Sequence, residues 1–198
     1  MAGTDLESPL PWPALVADQL GVESVNHAWP GIGNLRISES VLMHSDPDDL
    51  HVIGWTWIDR FDYVNSHTEH WHTVRPGSDH ALADHYYRDL HSQYRDMLTN
   101  LMYVRSALEH LIQQKSRFIM TYMDPLLFEP VMDSWHPSAA ITGLQNRIRP
   151  YCCDFQGRTF LQWSRDLGFA ESAFWHPLDA AHAAAADIML PTVRALIN

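Results

Sequence analysis

The chain of 198 residues is 46% hydrophobic and 19% charged, which is the size of one domain with enough apolar side chains for a core and excludes a disordered tail or a coiled coil. Lys and Arg number 13 against 24 Asp and Glu, a formal net charge of -11, so no nucleic-acid partner is expected. No apolar run reaches the ~18 residues of a membrane span and no basic segment leads into an apolar stretch at the front, so no membrane partner and a cytoplasmic location are expected.

A first helix is predicted over residues 11–20, with Pro13 early, where a missing N–H costs little, and Gly21 just past the end. A short strand over 23–29, "ESVNHAW", runs into the turn Pro30-Gly31-Ile32-Gly33-Asn34, and helical spacing resumes over 35–44. The nearly continuous apolar run at 50–56, "LHVIGWT", suits a buried parallel strand. Strand, turn, helix, strand is the α/β rhythm. Residues 59–77 read as a long polar, His-rich loop. Helical spacing over 79–114 is long enough to expect a break. A third strand is predicted at 117–123, short helices at 126–132 and 141–148, and a last short strand at 151–155. Helices follow at 159–167, stopped by Gly168, and at 178–197, bent at Pro191. No internal repeat or linker is visible, so residues 1–198 are expected to form a single domain.

Cys152 and Cys153 are the only cysteines, and they are adjacent. A ring closed between neighbours is strained and cross-links nothing useful, which makes a reducing compartment the simpler reading. The 13 His and 8 Trp suit a pocket without naming one.

Four segments hold residues with chemistry. The turn Gly31-Ile32-Gly33-Asn34 would aim free backbone N–H groups at the crevice where α/β folds bind ligands, although an ordinary strand–helix turn looks the same. Gly54-Trp55-Thr56-Trp57, followed by Asp59-Arg60, ends the best strand, where Thr56 could donate to an oxyanion; a strand end with core tryptophans is the plainer alternative. "FWHPLDAAH" puts His176 before Pro177 at the mouth of the last helix, free to act as a general base. Asp179 and His182 share a helix face there, but Asp179 also suits the helix dipole and His182 simple packing. His67, His70 and His72, with Glu69 among them, have donors for zinc or another divalent ion, though a polar loop is the more economical account. His136, in "SWHPS", echoes the final block without a mechanism of its own.

Read in order, "PWPALVADQLGVESVNHAWPGIGNLRI", "LHVIGWTWIDRF" and "FWHPLDAAHAAAADIM" resemble the SGNH (GDSL-type) hydrolase superfamily, especially its divergent phage and marine bacterial members. The resemblance implies an α/β fold: a three-layer α/β/α sandwich with a short parallel sheet, flavodoxin-like, and no bound cofactor. It assigns an oxyanion-hole N–H to Gly31 and places Thr56 where the family has an Asn. It makes His176 the base, with Ala173 at the position of the acid and Glu171 two residues earlier as its substitute; Asp179 and His182 are the alternative pair. Asn34, Trp55, Trp57, Arg60 and Tyr63 would line the substrate side. The family's opening strand, which ends in Gly-x-Ser and bears the nucleophile, has no match. Ser8 is the only serine ahead of the first helix and lacks both the strand and the Gly. The chain is thus expected to be an N-terminally shortened member missing its first strand. It would be an acyl- or acetyl-ester hydrolase, on a small molecule or a carbohydrate, inactive as given and a candidate homo-oligomer. The alternatives are a non-catalytic carbohydrate- or partner-binding module and a metal-dependent hydrolase built on His67, His70 and His72.

Overall fold

The structure, a computed structural model, describes residues 10–129, 139–173 and 175–197. Helix α1, Trp12–Leu20, starts after the extended Pro11 and stops at Gly21, whose φ of 67° lets its N–H and that of Val22 turn back onto Asp18 and Ala17 carbonyls. Helix α2, Asn34–His44, leads to strand β1, Leu50–Trp55. Strands β2, Phe61–Val64, and β3, Trp71–Val74, follow. Helix α3, Ala83–His85, passes into a π-helical turn at Tyr86–Leu90. Helix α4, Gln93–Gln114, opens afresh at Ser92, whose hydroxyl accepts from the Arg95 N–H. Strand β4, Arg117–Tyr122, is followed by helices α5, Ala139–Ile148, α6, Phe160–Asp166, and α7, Asp179–Ile197.

The fold is mixed α/β, with seven α-helices and a parallel pair of strands among the described residues. β1 and β4 run in register from Leu50 opposite Arg117 to Trp55 opposite Tyr122. Because side chains alternate along a strand, this sheet feeds two apolar clusters. Ile53, Trp55 and Met120 meet Met97, Leu101, Val104 and Leu108 of α4 and Ile141 and Ile148 of α5. Val52 and Ile119 instead join Trp12 and Val16 of α1, Trp163 of α6, and Ala185, Ala186 and Met189 of α7. Trp12 and Val16 of α1 share this cluster with the buried Ala181, Ala185 and Ala186 of α7. By length and composition alone, with a mean hydropathy of 1.2, α7 is also the one helix among the described residues that could cross a membrane.

Three expectations need correction. Residues 23–29 form no strand: they carry no ladder and are exposed throughout. A strand exists only on a partner edge, and among the described residues β1 pairs on one side alone, with β4. Residues 59–77 are not a loop but contain the antiparallel hairpin of β2 and β3, Phe61 opposite Val74 and Val64 opposite Trp71. Its alternating aromatic and polar residues are a strand pattern that the His content obscures. The expected strand at 151–155 shrinks to one parallel bridge between Cys152 and Met120, where the Cys153 N–H donates to the Met120 carbonyl at 2.7 Å. The break expected within 79–114 falls at His91–Ser92. Of the helix expected at 126–132, a 3-10 turn at Pro125–Leu127 is present; residues 130–132, like Ser8 and His136, lie outside the described residues.

Candidate functional site

The polar groups of this chain converge beyond the C-terminal end of β1. Both ends of the Asn34 side-chain amide grip Thr56: Oδ1 accepts from the Thr56 N–H at 2.8 Å and Nδ2 donates to its carbonyl at 3.1 Å. Asn34 Nδ2 also donates to Asn100 Oδ1 at 2.8 Å. Asn100 Nδ2 in turn donates to the carbonyls of Ile58, at 2.8 Å, and Asp96, at 2.6 Å. Arg60 Nη1 donates to the Ile32 carbonyl at 2.9 Å, fastening the 31–34 turn to the segment that leaves β1. The first two proposed blocks, Gly31–Asn34 and Thr56–Arg60, therefore stand side by side.

The start of α2 is not left open for an external anion. Asp62, buried in β2, accepts from the Gly33 N–H at 2.8 Å and the Arg36 N–H at 3.0 Å, and from the Thr73 hydroxyl at 2.6 Å. A carboxylate of the protein itself answers the positive end of the helix. This also explains Gly33: a Cβ there would fall 2.6 Å from Asp62 Oδ2. Gly31, at φ 76°, lies against the Arg75 guanidinium. Burial, and next the neighbouring Arg75, hold the Arg60 pKa below its ordinary value. On the other side, buried Asp124 accepts from the N–H groups of Ile58 and Leu126, both at 3.0 Å, and burial keeps its carboxyl above the usual carboxylate range.

The remaining candidates are placed as follows. Asn34 and Trp55 are fully buried, and the Trp55 indole N–H points at the Met120 sulfur at 3.4 Å, so neither presents a surface to a ligand. Thr56, Trp57, Arg60 and Tyr63 are half-buried. The Tyr63 ring stacks on His72 at 5.3 Å, and its hydroxyl sits 3.3 Å from His80 Nε2. His67 and His70 are exposed between β2 and β3, and no group of three or more metal-ligating side chains converges among the described residues.

His176 is exposed, and its backbone is held by Ser172, through the Ser172 N–H on its carbonyl and its own N–H on the Ser172 hydroxyl. Its imidazole shares no hydrogen bond with the Gly31–Thr56 cluster. Glu171, offered as its acid, is engaged by the Arg165 guanidinium through two bonds of 2.7 and 3.0 Å. That contact holds the carboxyl below its ordinary range. Ala173 and Asp179 are exposed. His182 packs on Phe160 at 4.9 Å, and its Nδ1 accepts from the Trp12 N–H at 3.1 Å. Burial lowers its pKa.

A second polar centre was not anticipated. Asp96, only 2% exposed at the start of α4, accepts from His91 Nδ1 at 2.6 Å, the Tyr86 hydroxyl at 3.1 Å and Arg95 Nη1 at 3.0 Å. Burial, then the Asp96 charge, push the Tyr86 phenol up to about 12. Asp96 and Asn100 stand four apart beside the apolar stripe of Met97 and Leu101; two polar residues at helical spacing on a buried face are the signal that would have found them. Comparison with known proteins yields no matching family model, no matching curated protein and no matching solved structure.

Proposed function

We propose that the chain is an SGNH-type hydrolase domain, a three-layer α/β/α sandwich whose chemistry is hydrolysis of an acyl or acetyl ester on a carbohydrate or small molecule. The observation that carries this reading is the two-pronged grip of Asn34 on Thr56, which puts the Gly31 turn and the end of β1 at one edge of a parallel pair. In α/β folds that edge is where ligands bind. Apolar clusters on both faces of β1 and β4 fit the sandwich. In this reading the Gly31 N–H and the Thr56 hydroxyl stabilise the tetrahedral oxyanion. His176 takes the proton of the nucleophile, and Trp57, Arg60 and Tyr63 meet the substrate.

Among the described residues no serine hydroxyl is hydrogen-bonded to the His176 imidazole, so the reading requires a nucleophile from outside them. Among the described residues β1 pairs on one side alone, and its other side is where a strand ending in Gly-x-Ser would add. The test is p-nitrophenyl acetate turnover by the chain as it stands and by the chain carrying such a strand at its front. Silence from the first is expected, together with turnover by the second that falls at least about 100-fold in His176→Ala. A silent extended chain, or turnover indifferent to His176→Ala, would end the hydrolase reading.

A further inference from the structure

The hairpin register sets two arginines against each other. Phe61 pairs with Val74, so the residues just outside that pair, Arg60 and Arg75, stand at the same open end of β2 and β3. Like charges facing each other across two strands are destabilising. Both side chains also lean on one turn. Arg60 Nη1 donates to the Ile32 carbonyl at 2.9 Å, and a Cβ on Gly31 would meet Arg75 Nη1 at 3.1 Å. Gly31, at φ 76°, takes a left-handed conformation without strain and leaves the second guanidinium its place.

Neither charge is answered by an ion pair among the described residues. In a chain with 24 acidic and 13 basic residues that is not the default: Arg88, Arg95, Arg105, Arg147, Arg158 and Arg165 each have a carboxylate within reach. Arg60 is half-buried, where an unpaired charge is costly. Burial and then the charge of Arg75 hold its pKa down, while Asp59 and Asp62 act in the opposite sense from beyond ion-pair distance. The Asp62 carboxylate already accepts from Gly33, Arg36 and Thr73. It also closes the start of α2, so the helix terminus is not the site.

Two facing guanidiniums repel a cation, and a neutral ligand leaves their repulsion in place, so the missing partner is an anion. Its shape follows from the two forks. One fork already matches the two oxygens of a carboxylate; two forks from two strands are matched by a group whose oxygens point to the corners of a tetrahedron.

We propose that the open end of the β2–β3 hairpin binds a tetrahedral oxyanion, a phosphate or sulfate that is free or carried by a small molecule, between the guanidiniums of Arg60 and Arg75 above the Gly31 turn. Arg75 is exposed, so the site is open to solvent. Binding needs no nucleophile, and its outcome is independent of the turnover test.

The test is an amide chemical-shift titration of the full chain at constant ionic strength with inorganic phosphate, sulfate, glycerol 3-phosphate and acetate. Saturable shifts at Gly31 and Ile32 are expected with at least one of the first three, and tighter binding of glycerol 3-phosphate than of inorganic phosphate would identify a carried group. Acetate should bind at least about tenfold more weakly, and Arg75→Gln should weaken phosphate at least about tenfold, the loss of one charged hydrogen bond. Arg75 makes no hydrogen bond among the described residues and faces a like charge, so Arg75→Gln should leave the circular dichroism spectrum as it is and the melting temperature no lower. Arg194→Gln, an exposed change on α7, reports general charge effects and should leave binding unchanged. Absence of saturable shifts at the Gly31 turn with all three tetrahedral anions would overturn the proposal. So would acetate binding as tightly as phosphate, binding unchanged in Arg75→Gln, or an equal loss in Arg194→Gln.

Discussion

Replacing Asp62 by Ala removes the acceptor for three donors at once: the N–H groups of Gly33 and Arg36 and the hydroxyl of Thr73. The Gly33 backbone is buried, and an unsatisfied buried donor costs about 1–3 kcal/mol. The other two donors sit on half-buried residues that water can reach, so each costs roughly 0.5 kcal/mol. Loss of a negative charge at the start of α2 adds about 0.5–1 kcal/mol. The expected destabilisation is about 3 kcal/mol, or roughly 6–12 °C in melting temperature for a chain of this length. Urea denaturation followed by circular dichroism measures it, with Asp62→Asn as the milder comparison because one carboxamide oxygen can keep part of the set. The same geometry gives a double-mutant cycle. Gly33→Ala should be costly in the native background, where the new Cβ would meet Asp62 Oδ2 at 2.6 Å, and much cheaper in Asp62→Ala. A loss below about 0.5 kcal/mol for Asp62→Ala, within the usual range of neutral surface changes, or strict additivity of the pair, would refute the claim that this carboxylate caps α2.

Three further outcomes are expected. His182 is neutral where its Nδ1 accepts from Trp12, and its folded pKa lies below the ordinary value of 6.5; the unfolded chain then binds more protons, so stability should fall as pH drops through about 6.5 and be fully present above it. His182→Gln should flatten that slope in pH-dependent urea melts. Trp55→Ala removes a fully buried indole from the centre of the β1–β4 sheet and should cost about 3–5 kcal/mol, seen as an early chemical denaturation midpoint. Glu171→Gln should shift stability by less than about 1 kcal/mol by the same measurement, because its Arg165 partner is half exposed and such pairs gain little.

The elements read from sequence are those whose burial is one-sided and periodic. Helices α1, α2, α5, α6 and α7 and strands β1 and β4 all lie within a few residues of expectation, because Gly21, Gly168 and Asp124-Pro125 punctuate apolar patterns that local physics alone can end. Residues 23–29 carry the composition of a strand, but whether a strand forms is decided by a neighbour, and neighbours are not written locally. The hairpin of β2 and β3 was hidden for the opposite reason: its strands are four residues each and bear Asp62, Tyr63 and His72, so polarity masked the alternation. The site divides in the same way. Gly31, Thr56 and Arg60 were visible as a turn and a strand end. The contacts that organise them, from Asn34 to Asn100 across 66 positions and from Gly33 to Asp62 across 29, are long-range pairings without a local signature.

The hairpin raises a last question of what holds it, since two isolated strands are marginal in water. Its apolar contribution is small: Val74 is fully buried, and Phe61 stacks on Tyr86 at 4.6 Å with the Arg95 guanidinium 5.2 Å from its ring. The rest is polar and reaches to both sides. Asp62 ties β2 to the start of α2, and Tyr87 ties the Val74 carbonyl of β3 to the Asp59 carbonyl that precedes β2. Two independent clamps on one small element mean that removing either should loosen it without melting the β1–β4 core, whose packing is elsewhere. Amide hydrogen exchange resolves this: protection at Tyr63 and His72, a hydrogen-bonded pair of the ladder, should drop in Tyr87→Phe, while that of Ile53 and Met120 stays at the native level. Uniform loss of protection across both regions would mean that hairpin and core unfold as one unit, and that the clamps are not the reason the hairpin stays in place.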